Sequence, residues 1–172
     1  MATKSSDKKA ADTATMVNAI KLLTDDHKEV HALFLKYKKL LNSDAEAADR
    51  QPLAEQICLL LTVHATIEEE IFYPAARAAG VESDLLDEAE VEHASVKDLI
   101  AQIRDMGPAE DLYDAKVTVL GEYVDHHVKE EQDEMFPKCR EASMDLKAMG
   151  AQMARRKAEL MAEMTEGMEV AH

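Results

Sequence analysis

His27, His64, His93 and His127 each stand on an apolar stripe of helical period, and His64 and His127 are each followed four residues later by a glutamate, Glu68 and Glu131. Residues four apart share one face of a helix. That face is the one a helix buries, so six polar groups are aimed away from water. A buried polar or ionisable group is costly unless something pairs with it. The stripes must therefore converge, and whatever lies between them must satisfy four imidazoles and two carboxylates together. A pair of metal ions at the centre of a four-helix bundle meets both demands.

The stripes define the helices. The first carries Ile20, Leu23, His27, Val30, Phe34, Tyr37 and Leu41, and Asn42-Ser43-Asp44 breaks it. The second carries Leu53, Ile57, Leu60, His64, Glu68 and Ile71, with Pro52 suited to its first turn and Gly80 to its end. Ser83 is a candidate N-cap for the third, which carries Leu86, Ala89, His93, Val96, Ile100 and Ile103 and stops at Met106-Gly107-Pro108. The fourth carries Val117, Leu120, Val124, His127, Glu131 and Met135. The pattern predicts an all-α, up-down-up-down four-helix bundle over residues 14–141. Residues 1–13 read as a disordered tail. Residues 142–172, with Leu146, Met149, Met153, Leu160 and Met164, read as an additional Met-rich helix. It either caps the bundle from outside or forms the contact of a weak homodimer, since Met suits adaptable surfaces.

The chain also repeats itself. HATIEEEIFYP at 64–74 and HVKEEQDEMFP at 127–137 both place Glu four residues and Pro ten residues after the histidine. Two helical hairpins related by a pseudo-two-fold axis would bring the four histidines and two glutamates to one level. The alignment selects His127 over its neighbour His126, which is expected to be exposed.

Nitrogen and oxygen donors together suit iron, manganese or zinc better than magnesium or calcium, and each glutamate has two oxygens with which to bridge two cations. Cys58 and Cys139 form no CxxC or Cys/His spacing and read as reduced thiols of a cytosolic protein. With 35 acidic against 20 basic residues, the net charge of −15 repels phosphate backbones and anionic membranes. Neither a nucleic acid nor a membrane is expected as a partner. No apolar run reaches the ~20 residues of a membrane span, and the polar N-terminus resembles no signal peptide.

The order H, HxxxE, H, HxxxE, opened by Asp26-His27 and closed in each half by Tyr73-Pro74 and Phe136-Pro137, resembles the hemerythrin family and its HHE cation-binding relatives over about residues 16 to 140. The resemblance implies a non-haem centre of two iron ions, bridged by two carboxylates and an oxo or hydroxo group, with an open position for O2. The oxygen carriers of that family use a fifth histidine in an HxxxH on the third helix. Lys97 stands at that position here, whereas an HxxxH occurs on the first helix, at His27 and His31. The expected ligands are thus His27, His31, His64, Glu68, His93, His127 and Glu131, with Tyr123 or Glu90 as substitutes for His31. The function implied is binding of O2, NO or peroxide for storage, delivery or sensing. A di-iron oxidoreductase acting on peroxide or NO, and iron storage or delivery, stand as the alternatives.

Overall fold

Asn18 opens the first helix: its side-chain oxygen accepts the Lys21 N–H at 2.8 Å. From there the computed structural model describes residues 18–170, and its regular elements are all helical. The tail expected at 1–13 and the last two residues lie outside the described residues. In chain order come α1 (Ala19–Asn42), α2 (Ala47–Ile67), a π-helical turn (Glu68–Phe72), α3 (Tyr73–Ala78), α4 (Ser83–Arg104), α5 (Tyr113–Glu130), a second π-helical turn (Glu131–Met135), α6 (Phe136–Glu141) and α7 (Leu146–Val170). α2 runs through its π turn into α3, and α5 into α6, so four rods pack as two hairpins, α1 with α2 and α4 with α5.

Two boundaries differ from the sequence expectation. α2 starts at Ala47, so Pro52 lies past its first turn. Ser83 is the first residue of α4, and the N-cap position belongs to Glu82, which makes no side-chain cap bond. Gly80 does end the second rod, at a φ of 85° that a side chain would strain.

The π turns were not expected from a helical period, and both have the same cause. Pro74 and Pro137 cannot donate a backbone hydrogen bond, and a proline ring crowds the carbonyl four residues before it. Each rod responds by widening just ahead of the proline: the Tyr73 N–H bonds to the Glu68 carbonyl and the Phe136 N–H to that of Glu131. Such a turn is bonded between residues five apart, which lie closer to one face than in an α-helix. Tyr73 is thereby drawn to the face of Glu68, and Phe136 to the face of Glu131.

The polar stripe residues divide the interior in two. On one side lie Ile20, Leu23, Val63, Ile67, Phe72, Leu86, Met135 and Phe136. On the other lie Val30, Leu33, Ile57, Leu61, Val96, Ile100, Leu120 and Val124. At the far end of the second core, Arg50 grips Asp114 with two hydrogen bonds of 3.0 and 2.9 Å, and the Tyr37 hydroxyl donates to the same carboxylate. This ties α1, α2 and α5 together where the polar layer does not reach.

α7 packs along α1 and α2 and adds Met149, Met153 and Leu160 to the first core. The approach is close at Gly150, where a Cβ would lie 2.6 Å from the Asn18 carbonyl carbon and 2.8 Å from the Ala19 nitrogen. No helix among the described residues is long and apolar enough to cross a membrane.

Two measurements check this packing. Gly150→Ala must push α7 off the capped start of α1 and should cost ~1–3 kcal/mol in denaturant unfolding, as overpacking does. Gly167→Ala meets nothing within 4 Å and should be neutral or slightly stabilising. Burial in the second core also pushes the Cys58 thiol up to about 11, against the pull of Arg104. A thiol whose folded pKa is raised lends stability that is intact below the unfolded value near 9 and lost as pH climbs to about 11. The denaturant midpoint should fall across that window, and Cys58→Ala should flatten the fall.

Candidate metal centre

The α1–α2 hairpin brings the Nε2 atoms of His27 and His64 to 3.2 Å, and the α4–α5 hairpin does the same for His93 and His127. The glutamates then link the hairpins. Glu68 Oε1 lies 2.9 Å from His64 Nε2 and 3.5 Å from His93 Nε2. Glu131 spans the gap with both oxygens, Oε1 3.1 Å from His27 Nε2 and Oε2 3.4 Å from His127 Nε2. Two donor sets result, His27 with His64 and Glu131, and His93 with His127 and Glu68, the donor atoms of each within 4.8 Å of one another.

This chemistry fits cations. Glu68 and Glu131 are 0% and 1% exposed. Glu68 Oε1, Glu68 Oε2 and Glu131 Oε1 accept no hydrogen bond among the described residues. Such acceptors cannot stay ionised in a dry interior without positive charge beside them. The histidines register the same demand. Burial opposes a charge on His64, yet Glu68 and Asp26 outweigh it and push its pKa up to about 10. Burial likewise opposes a charge on His127, which Glu131 and Glu92 push up to about 11. Glu68 in turn is held well below the ordinary carboxylate range, His64 overcoming its burial. Protons and metal ions compete for these positions, so binding of a metal must release protons.

Each imidazole is also held from behind, at Nδ1. Asp26 Oδ2 lies 3.0 Å from His64 Nδ1 and Glu92 Oε1 3.1 Å from His127 Nδ1. Glu69 Oε1 lies 3.3 Å from His93 Nδ1, and the Gln132 amide nitrogen 3.2 Å from His27 Nδ1. Outer hydrogen bonds of this kind fix the tautomer and ring orientation of metal-ligating histidines. Their order follows the internal repeat: Asp26 and Glu92 immediately precede His27 and His93, while Glu69 and Gln132 immediately follow the two glutamates.

Six of the seven expected ligands are brought together. His31 is not: its side chain is 57% exposed, with Nδ1 3.5 Å from Asp125 Oδ1. The reason lies in the stripe, which steps from His27 to Val30, Leu33 and Tyr37, leaving His31 beyond its outer edge. Tyr123 and Glu90 are exposed as well. His126, as expected, is on the surface, beside Glu92 and Glu130.

Tyr73 enters instead. Its hydroxyl donates to Glu131 Oε2 at 2.7 Å and lies 3.2 and 3.3 Å from the Nε2 atoms of His93 and His127. Burial first, then Glu131 and Glu68, holds the phenol well above its ordinary pKa, so it keeps its proton. The matching residue of the other half, Phe136, lies parallel to the His27 ring at 6.0 Å. On the opposite side of the imidazoles is a cavity of about 30 Å³ walled by Val30, Leu61, Ala65, Val96, Val124 and Val128. Leu61 lines it rather than Leu60, because the buried face of α2 runs through Ile57, Leu61, His64 and Glu68.

Comparison with known proteins agrees with this geometry. Residues 18–139 match the sequence profile described as Hemerythrin HHE cation binding domain. The fold resembles the crystal structure of a hemerythrin HHE cation-binding domain-containing protein from Mycobacterium kansasii, with a TM-score of 0.71 and 27% identity over 86% of this chain and 90% of that one. A curated protein of Nostoc sp. (strain PCC 7120), named DNA nickase, is 31% identical over 118 residues, 67% of this chain. The chain spans only 31% of that relative's length.

Removing one shared carboxylate tests the arrangement. Glu68→Ala should weaken metal binding at least ~100-fold by competition with a chelator, since it strips the oxygen donor from the His93–His127 set and the carboxylate beside His64, while helix content by circular dichroism stays unchanged. His31→Ala should leave metal affinity within a factor of about two, as an exposed residue outside both sets.

Proposed function

Because the chain belongs to the hemerythrin HHE cation-binding domain family, we propose that its four histidines and two glutamates hold a pair of iron ions that binds a small ligand, O2, NO or peroxide. One observation carries the reading: two donor sets share two fully buried carboxylates beside a small apolar cavity. His27 and His64 would hold one ion, His93 and His127 the other, with Glu68 and Glu131 between them. His31 has no part in this set. A redox-active pair bound there would supply electrons to a small oxidant.

The chain's own residues do the rest. About 30 Å³ admits a species of one or two heavy atoms and no organic substrate. The valine-rich wall keeps bulk water from the imidazoles, and Tyr73 holds a proton at its hydroxyl, aimed at Glu131. The bundle, described from residue 18 to 141, holds the centre in this reading, and α7 braces it. The net charge of −15 opposes a role on nucleic acid, and the nickase name belongs to a relative three times as long as the matched region.

A second reading has an observation of its own. Turnover of peroxide or NO consumes protons, and the Tyr73 hydroxyl holds one beside both donor sets. That favours turnover of peroxide or NO over simple storage.

Loading the stripped protein anaerobically with iron(II) and then admitting oxygen separates these readings. Two irons per chain and an absorption change that reverses on degassing would establish reversible binding. An irreversible change, with peroxide consumed at a rate that Tyr73→Phe lowers at least ~10-fold at unchanged iron content, would establish the enzyme. Fewer than two irons per chain would overturn the proposal.

A further inference from the structure

The two halves of the repeat agree in their ligands but not in what stands behind them. Behind His64 is Asp26, whose second oxygen lies 2.5 Å from Lys157 Nζ. Behind His93 is Glu69, whose oxygens both lie 2.6 Å from Lys97 Nζ. Each of these carboxylates has its own ammonium, so each donor set has one lysine-paired carboxylate behind it. The remaining pair is not matched. Glu92, behind His127, is a carboxylate that pairs with no lysine or arginine among the described residues and has the exposed His126 3.7 Å away. Gln132, behind His27, carries no charge.

The neutral amide differs in a second way. A metal on His27 Nε2 requires the proton on Nδ1, which must then donate outward. Gln132 presents its nitrogen to Nδ1, itself a donor, and must turn its amide over to accept. Glu92 and Glu69 accept as they stand. The inner surroundings lean the same way: the Tyr73 oxygen faces His93 and His127, while the ring of Phe136 covers His27.

Building on the metal pair proposed above, we infer that its two positions are unequal. The position at His93 and His127 binds its ion more tightly, the position at His27 and His64 loses its ion first, and Gln132 is the residue that sets the difference. A carboxylate behind a metal-bound imidazole makes it a stronger donor, and replacing such a partner changes metal affinity by ~10–100-fold. One carboxylate more behind one position should open a gap of that order.

Cobalt(II), added to the stripped full chain and competed with a chelator, measures this without reference to any activity. His64→Ala weakens one position and His127→Ala the other, so the first cobalt bound by each variant reports on the intact half. The His127→Ala variant should bind its first cobalt at least ~10-fold more weakly than the His64→Ala variant. Gln132→Glu, at a half-buried position, should strengthen the weak site ~10-fold or more when placed in the His127→Ala background. It should leave the tight site of His64→Ala within about twofold. Equal first affinities, or the reverse order, would overturn the inequality and leave the metal pair standing, as would a Gln132→Glu effect on the tight site alone. Absence of cobalt binding by the unsubstituted chain would overturn the pair and the inequality together.

Discussion

Two carboxylates buried at the middle of the bundle govern the rest of the structure. Glu68 and Glu131 have almost no exposed surface and three oxygens without a hydrogen bond among the described residues. Leaving one such charge unpaired costs several kcal/mol, a large part of what a domain of this size has in total. The imidazoles in contact with them answer that demand with protons, which is why His64 and His127 hold theirs to such high pH. Metal ions answer it more fully, since each brings two charges and uses the lone pairs that protons leave free. Function and stability are thus joined at one layer: the groups that make the interior costly are those that make it a cation site.

That layer depends on a backbone irregularity. An unbroken α-helix would place Tyr73 more than a third of a turn away from Glu68, and Phe136 equally far from Glu131. The prolines at 74 and 137 force the π turns that bring each aromatic back over its glutamate. Residues that cannot enter a helix without damage are used here to widen it at two equivalent points. The widening is what lets one phenol hydroxyl reach a carboxylate and two imidazoles at once.

The all-helical fold and the convergence of six side chains were legible because period and polarity disagreed so sharply: His27 on an apolar stripe has only one sensible destination. His31 shows where spacing stops being informative. Four residues apart means a shared face, but a stripe that advances by three at that point leaves the later residue outside, and only packing against the partner helix decides which step is taken. Tyr73 was visible in the sequence as the counterpart of Phe136 but not as part of the site, because a regular helix points it elsewhere. The same holds for Asp26, Glu69, Glu92 and Gln132. Each is adjacent to one of the six inner donors and would be read as a surface residue. Each reaches back across a hairpin or between hairpins in a way that sequence adjacency does not reveal.

α7 shows how far the central layer extends. Its methionines Met149 and Met153 fill the core on the Phe72 and Phe136 side. Lys157 gives it a second connection, through Asp26 Oδ1 at 2.5 Å and from Asp26 Oδ2 to His64 at 3.0 Å. The lysine is only partly exposed, and a surface cavity of about 470 Å³ lies beside it, lined by Asp25, Asp26, Ala154 and Met161. Without α7, Asp26 would face solvent with one oxygen free, and water would compete for the hydrogen bond that orients His64. The hairpins of the repeat build the centre between them, but only the first needs this outside brace. On the second hairpin the equivalent carboxylate, Glu92, is half-buried and pairs with no lysine among the described residues. The departure from two-fold symmetry thus reaches from the surface helices inward to the imidazoles, while the six inner donors keep the symmetry of the repeat.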